Sequence, residues 1–357
     1  MNWLTIGLSI MATQASAITF LSTPGQAYSD GMRFIQFYFG LPVAMIVICM
    51  FFLPLYYRLK VYTAYEFLEQ RFDLKTRTLT AGLFLVQRGL AAGITIYAPA
   101  IILSTLLGWN LTFTNVFIGI IVIIYTVSGG TKAVSVTQKQ QMTVMMGGMI
   151  LAGIIVIQMI PVSFTEALQV AGKMEKLNIV NFEFNLSDRY NFWSGFTGAL
   201  FLFLSYFGTD QSQVQRYLSG RTLTQSRMGL MMNGFLKVPM QFIILFIGVM
   251  VFVFYQFYQP PVFFNTIQTD KLKESEYVED FNALEKEYTT IFENKEKSIH
   301  SLLGAIESED DTAVEKYKGA ISSQSRAQEE VRDKVKELIV HNDPLAETRA
   351  TDYGLRR

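Results

Sequence analysis

Stretches of about 20 mostly apolar residues, each long enough to cross the hydrocarbon of a bilayer as a helix, dominate the first 263 positions. Seven can be marked, at 3–23, 34–57, 79–107, 111–129, 142–161, 191–208 and 229–257. Backbone in lipid must satisfy its own hydrogen bonds, so these runs predict an all-α, multi-span helical membrane protein. From about 264 the chain changes character. Residues 1–263 hold 16 Lys+Arg and 9 Asp+Glu, and the remainder 14 and 21, so the zero net charge conceals two segments of opposite sign. The expected organisation is a transmembrane core over 1–263 and an acidic soluble helical segment over 264–357.

The first run is not a secretory leader. It lacks a basic start and carries Thr5, Ser9, Thr13, Gln14, Ser16 and Thr19. The single cysteine, Cys49, excludes an internal disulfide. Both histidines, His300 and His341, lie beyond 263, so the membrane part has no imidazole for catalysis or for a transition metal, and no enzyme activity is expected. A glycine-rich phosphate loop ending in lysine is also missing, which removes local support for ATP-driven pumping.

Cytoplasmic loops collect Lys and Arg. Arg58, Lys60, Arg71, Lys75, Arg77, Lys132, Lys139, Arg216, Arg221 and Arg227 follow the even-numbered runs, whereas Arg33, Lys173, Lys176 and Arg189 occupy the opposite loops. This bias predicts a cytoplasmic N-terminus and an external 264–357, and it explains the basic residues without nucleic acid. In the acidic segment Tyr277, Phe281, Leu284, Tyr288 and Ile291 recur at the spacing of one helix face. Asp310-Asp311 interrupts the pattern, Val331, Val335 and Leu338 resume it, and Pro344 ends it. A soluble helical hairpin is predicted, with a dedicated binding domain as the alternative.

Two runs carry small or polar residues where leucine would be the more stable choice. In the first, Ala12-Thr13-Gln14-Ala15-Ser16-Ala17 serves either close helix packing or a helix that unwinds and turns carbonyls to a cation. Ser22-Thr23-Pro24-Gly25 is expected to close that run in a turn. In the sixth, the chain passes from apolar to polar between Phe203 and Gln211 around Gly208, which predicts a second break beneath Tyr206. Asp210 is either a functional intramembrane acid or a boundary residue, solvated or paired with Arg216. Arg88 either faces a cavity and attracts an anion or snorkels to the interface, and Lys237 is expected to snorkel. Gly129-Gly130-Thr131-Lys132 reads as a turn at a helix end.

Four stretches resemble one family. They are Ser16-Ala17 with Pro24-Gly-Gln-Ala-Tyr28; Leu53-Pro-Leu-Tyr-Tyr-Arg58 with Thr63-Ala-Tyr-Glu-Phe-Leu-Glu-Gln-Arg71-Phe72; Ser128-Gly-Gly-Thr-Lys-Ala-Val134; and Asp210-Gln-Ser-Gln-Val-Gln-Arg216-Tyr217. Together they are similar to the sodium:solute symporters, which include sugar, proline, iodide, monocarboxylate and multivitamin carriers. Ile96-Tyr-Ala-Pro99-Ala and Gln213-Val-Gln-Arg-Tyr217 look more like the iodide, monocarboxylate and multivitamin branch. The resemblance implies a five-plus-five inverted-repeat (LeuT-like) transporter fold. Seven runs would supply the first repeat and the start of the second, so the chain is read as incomplete, with the hairpin as an external insertion. It also implies a sodium site built from first-span carbonyls, at Ala12 and Ala15 here, and from eighth-span hydroxyls that would lie beyond Arg357. Thr137-Gln138 departs from the Thr-Asp of many sodium-coupled members, which leaves the acid's part in cation exit without a bearer.

On that resemblance the chain is expected to act in secondary active transport at the plasma membrane. Sodium would be coupled to a small organic solute, with a carboxylate-type anion favoured over a sugar. Ser16, Thr19, Tyr97, Tyr206 and Gly208 are the candidate solute residues, with Arg88 and Asp210 beside them. Proton coupling is disfavoured, because spans one to five hold no Asp or Glu in their apolar middles. Two other readings stay open: a transporter-like membrane sensor, and a non-transporting fragment that anchors the hairpin.

Overall fold

The computed structural model describes residues 1–15, 17–61, 63–185, 188, 190–344 and 346, leaving the side chains at 17, 18, 21, 105, 106, 131–133 and 135 outside the description. Ser16 and Arg189 therefore lie outside the described residues. All regular structure among the described residues is helical. The first run divides into α1 (Trp3–Gln14) and α2 (Ala17–Asp30). A 3-10 stretch over Gly31–Tyr38 leads to α3 (Gly40–Val47), a π-helical stretch over Ile48–Phe52 and α4 (Leu53–Leu59). Next come α5 (Ala64–Arg71), α6 (Leu74–Leu107), α7 (Leu111–Met159) and α8 (Phe164–Lys173). They are followed by α9 (Phe192–Thr209), α10 (Gln211–Leu218) and α11 (Leu223–Phe257). The chain continues with α12 (Thr266–Lys273), α13 (Val278–Glu307) and α14 (Asp311–Asn342).

Among the described residues five helical stretches are long and apolar enough to cross a membrane: Ser22–Leu59, Leu74–Ser104, Leu111–Gly130, Val136–Met159 and Leu223–Phe257. The expected runs 3–23 and 191–208 are not among them. The first is interrupted after Gln14, and in the second Trp193, Ser194, Thr197 and Ser205 dilute the apolar residues. The turn expected at Ser22–Gly25 is also corrected, because Pro24 lies inside α2. Tertiary packing overrides the local signal there. A Cβ on Gly248 would sit 2.7 Å from the Pro24 Cα, so the bare backbone at 248 lets α11 press against the proline turn. Runs 111–129 and 142–161 are joined, as the glycine pair suggested, by a break in which Gly130 takes φ 55 and ψ −163. Only glycine adopts that conformation without strain.

Helix starts follow local chemistry. Asp73 accepts from the Thr76 amide at 2.8 Å and begins α6. Ser163 and Glu166 form a reciprocal capping box on α8, and Asn191 accepts from the Ser194 amide at 2.8 Å on α9.

The chain makes two compact units. One comprises Met1–Thr23, Met32–Ile150 and Ile179–Leu245. Its core joins Ile6 and Ile10 of α1, Leu41 and Met45 of α3, Phe203 and Phe207 of α9, Tyr217 of α10 and Leu230 of α11. Small residues set the closest approaches. A Cβ on Gly40 would lie 2.8 Å from the Phe196 carbonyl, which brings α3 against α9, and one on Gly229 would meet Ile6 at 2.6 Å, which brings α11 against α1. The π-helical stretch has a use in the same unit, since Arg227 Nε donates to the Cys49 carbonyl within it at 3.1 Å. The other unit comprises Pro24–Gly31, Leu151–Asn178 and Phe246–Arg357. There α13 and α14 pair as a hairpin over Phe281, Tyr288, Val331, Val335 and Ile339, the faces marked by the four-three spacing. Asp310 caps α14 by accepting from the Ala313 amide at 3.0 Å, at the place where the acidic pair interrupted the pattern.

Gly40→Leu is expected to destabilise the protein by about 1–3 kcal/mol through overpacking against α9. Gly82→Leu, which faces open space, is expected to leave stability unchanged or slightly raised. Melting temperatures of the two variants in detergent check the contrast.

Candidate functional site

The sixth run ends at a joint whose backbone groups are satisfied by side chains. Asp210 separates α9 from α10 with φ −73 and ψ 118, a conformation that ends one helix and opens the next. The freed carbonyls at the end of α9 are taken up by tyrosines: Tyr217 Oη donates to Phe207 O at 3.0 Å, and Tyr56 Oη donates to Gly208 O at 2.8 Å. Asp210 accepts from the Ser212 amide at 2.9 Å and from its hydroxyl at 2.6 Å, capping α10. Gln213 Nε2 donates to Tyr206 Oη at 2.8 Å across the joint. The break thus falls at Asp210, two residues past Gly208, which is buried within α9.

Asp210 is paired with Arg88 of α6 through Nη2 and Oδ2, and its side chain is 10% exposed against 30% for the arginine. This corrects the pairing with Arg216. As the cap of α10, Asp210 turns its carboxylate to the start of that helix, whereas Arg216 sits in the last turn. Arg88, read from the sequence either as facing a cavity or as snorkelling, has its charge matched within the protein by Asp210. The guanidinium lies 5.4 Å from the centre of the Tyr206 ring, and its buried Nε has no hydrogen-bond partner among the described residues. Beside it is a cavity of about 540 Å3 walled by Tyr65, Thr80, Gln87, Ser205, Tyr206 and Asp210 among others. Among the described residues none of its walls comes from the first run, so Tyr206 and Asp210 are brought together there without Ala12, Ala15 or Thr19. Tyr97 stands exposed on α6 and is not in that wall.

At the first break Ala15 closes α1 in an extended conformation, its amide bonded to Met11 O at 2.8 Å. Ala12 and Ala15 are buried in a methionine-rich cluster with Met11, Met142, Met240 and Ile244. Gln14 beside them has a shielded Oε1 with no hydrogen-bond partner among the described residues. A lone amide oxygen at a helix end suits a hard cation, which takes oxygen ligands. One turn earlier Gln138 of α7 holds α1: its Oε1 accepts from Ser9 Oγ at 2.9 Å and its Nε2 donates to Thr13 Oγ1 at 3.2 Å. Thr19 is half-buried on α2.

Sequence reasoning missed the polar stripe on α11. Asn233, Lys237 and Gln241 recur every four residues, on one helix face, and are 0%, 1% and 0% exposed. Lys237 is thus buried, not snorkelling, because α11 is enclosed along the stretch that packs on α1 and α3. Asn233 Oδ1, Lys237 Nζ and both polar atoms of Gln241 have no partner among the described residues. The four-residue spacing of polar residues in an apolar run was the signal available. Tyr56, Gln213 and Tyr217 were also missed, although they sit inside the stretches that carried the resemblance.

A model of the Sodium:solute symporter family matches residues 1–278. The human sodium/iodide cotransporter is 34% identical over 257 residues, covering 71% of this chain and 39% of that protein. Sodium-coupled monocarboxylate transporter 1 of Xenopus laevis is 35% identical over 230 residues, covering 64% and 36%. The sodium-dependent multivitamin transporter of Oryctolagus cuniculus is 32% identical over 266 residues, covering 72% and 40%. The chain therefore spans about two fifths of the length of these relatives. In fold it matches a Na+-coupled sialic acid symporter solved in a substrate-bound outward-open state, with TM-score 0.68 and 20% identity over 99% of this chain and 70% of that one. The expected LeuT-like fold and the iodide, monocarboxylate and multivitamin likeness are both borne out.

Arg88→Gln and Asp210→Asn each strand one charge and are expected to cost about 1–3 kcal/mol, below the value for a fully buried pair because Arg88 keeps contact with solvent. The double variant should recover a large part of that loss. A double-mutant cycle on thermal unfolding in detergent measures it, and additive costs would mean that the two do not act as a pair.

Proposed function

The chain belongs to the sodium:solute symporter family, and from that premise we propose that it carries a small organic anion across the plasma membrane together with sodium. In this reading residues 1–263 lie in the bilayer, the N-terminus faces the cytoplasm and 264–357 lies outside. The observation that carries the anion is Lys237. An ammonium that is 1% exposed and has no counter-ion among the described residues is costly in a membrane interior, and a carboxylate substrate relieves it. Arg88 is less suited to that part because Asp210 already matches its charge. The relatives named for iodide and monocarboxylates give the same direction.

Sodium, as co-substrate, is assigned to the first break, with the Ala12 and Ala15 carbonyls and Gln14 Oε1 as oxygen donors. Backbone oxygen is available there only because the helix is interrupted. The solute path is assigned to Lys237, Ser16, Thr19, Tyr97 and Tyr206, with Gly208 in the joint below Tyr206. An ion shifts a conformational equilibrium only by its difference in affinity between two states. Coupling then requires a sodium site that is complete in the outward-open arrangement and disrupted when α1 leaves its Gln138 partners.

Uptake of a radiolabelled monocarboxylate into proteoliposomes holding the full-length protein tests the proposal. It is expected to collapse when choline replaces sodium, and sodium-independent uptake would refute the coupling. Lys237→Met should weaken anion uptake by about tenfold or more while a neutral amide analogue is unaffected. Tyr206→Phe should retain most activity, since the ring remains, whereas Tyr206→Ala should abolish it. Gly208→Leu should block transport, because the ring of Phe52 lies 3.2 Å from where its Cβ would be.

A further inference from the structure

Residues beyond 278 lie outside the family match, yet α13 and α14 carry more than a solvated hairpin. In the unit they share with Pro24–Gly31, Leu151–Asn178 and the end of α11, a cavity of about 220 Å3 is lined by Lys176, Lys295, Arg332 and Lys336 against a single carboxylate, Glu329. Lys336 is bonded to Asp333 at 2.6 Å, which leaves three cations for the cavity. We propose that this cavity, lined by none of the residues assigned to the solute path, is a binding site for a small carboxylate with a compact, flat apolar body.

The polar side of the cavity is built and buried. Lys295 and Gln328 are each 6% exposed, and Lys295 Nζ donates to Gln328 Oε1 at 2.9 Å. That bond fixes the amide so that Gln328 Nε2, a buried donor, has no partner among the described residues. Arg332 donates from Nη2 to Tyr288 Oη at 2.7 Å, and its buried Nε has no partner among the described residues. Two anchored donors, each with an N–H to spare, match the two oxygens of a carboxylate.

The apolar side is aromatic. Arg332 stacks over Phe264 and Tyr288, at 5.7 and 5.3 Å from the ring centres, and Lys176 lies 4.7 Å from the centre of Phe252. Phe252, Phe263 and Phe264 give a flat ligand ring surfaces to pack on. The volume corresponds to roughly seven waters, so the ligand is small. Burial brings Lys295 down to about 8, with the charge of Arg332 adding to it, and burial brings Lys176 down to about 8 against the opposing pull of Asp30. Burial disfavours both ammonium groups, and an anion entering the cavity would favour their charged forms.

The probe is 4-fluorobenzoate, followed by 19F NMR on the whole chain in lipid nanodiscs. The Lys237→Met background removes the anion group assigned to the transport path, so failure of that assignment does not affect the result. Binding is expected, with 4-fluorobenzamide weaker by about tenfold or more. Arg332→Gln and Lys295→Met should each reduce benzoate affinity by a similar factor, with folding checked by the melting curve. The acid and amide comparison needs no change in the cavity and stays decisive if a variant misfolds. Equal affinity for acid and amide, no binding of the acid, or unchanged affinity in both variants would overturn the proposal.

Discussion

A helix within hydrocarbon can be interrupted only where something other than its own backbone takes up the freed amides and carbonyls. The joint at Asp210 meets that condition on both sides. Two tyrosine hydroxyls close the Phe207 and Gly208 carbonyls near the end of α9, and the Asp210 carboxylate closes the Ser212 amide at the start of α10 while holding Arg88. Remove either tyrosine and a carbonyl is stranded; remove the acid and a cation is stranded as well. The break is therefore a defined element whose backbone groups are held by side chains from α4 and α9–α10, with Arg88 of α6 paired to Asp210.

The first break is organised differently. Ala15 closes α1 against a cluster of methionines, side chains that adapt their shape readily. Gln138 ties the preceding turn through Ser9 and Thr13 with neutral hydrogen bonds, which are weaker than charged ones. Among the described residues the joint in the sixth run is held by a charged pair, and the turn before the first break by neutral hydrogen bonds. The polar stripe of α11 lies along the helix that presses on α1 through Gly229 and Ile6, so an anion on Lys237 and an ion at the first break would act on the same pair of helices.

Much of the fold was legible because its cause is periodic. Apolar run length marked the five long apolar helices but also two runs, 3–23 and 191–208, that are not among them; the four-three spacing marked the buried faces of α13 and α14, and Gly129-Gly130 the break inside α7. The errors have a common origin. Pro24 was read as a stop because local chemistry says so, but Gly248, distant in sequence, supplies the packing that keeps it helical. Lys237 was read as snorkelling because long cations usually do, but the four-residue recurrence of Asn233, Lys237 and Gln241 places it on an enclosed face. Arg88 and Asp210 were both singled out, while their pairing across 122 positions is tertiary and has no periodic signature.

If sodium binds at the first break it orders that segment, and hydrogen–deuterium exchange of the protein in nanodiscs measures that directly. With sodium in place of choline, amides in peptides covering residues 11–20 should exchange several-fold more slowly, while those of the α13–α14 hairpin should not change. Exchange at 11–20 that is identical in the two salts would contradict the account.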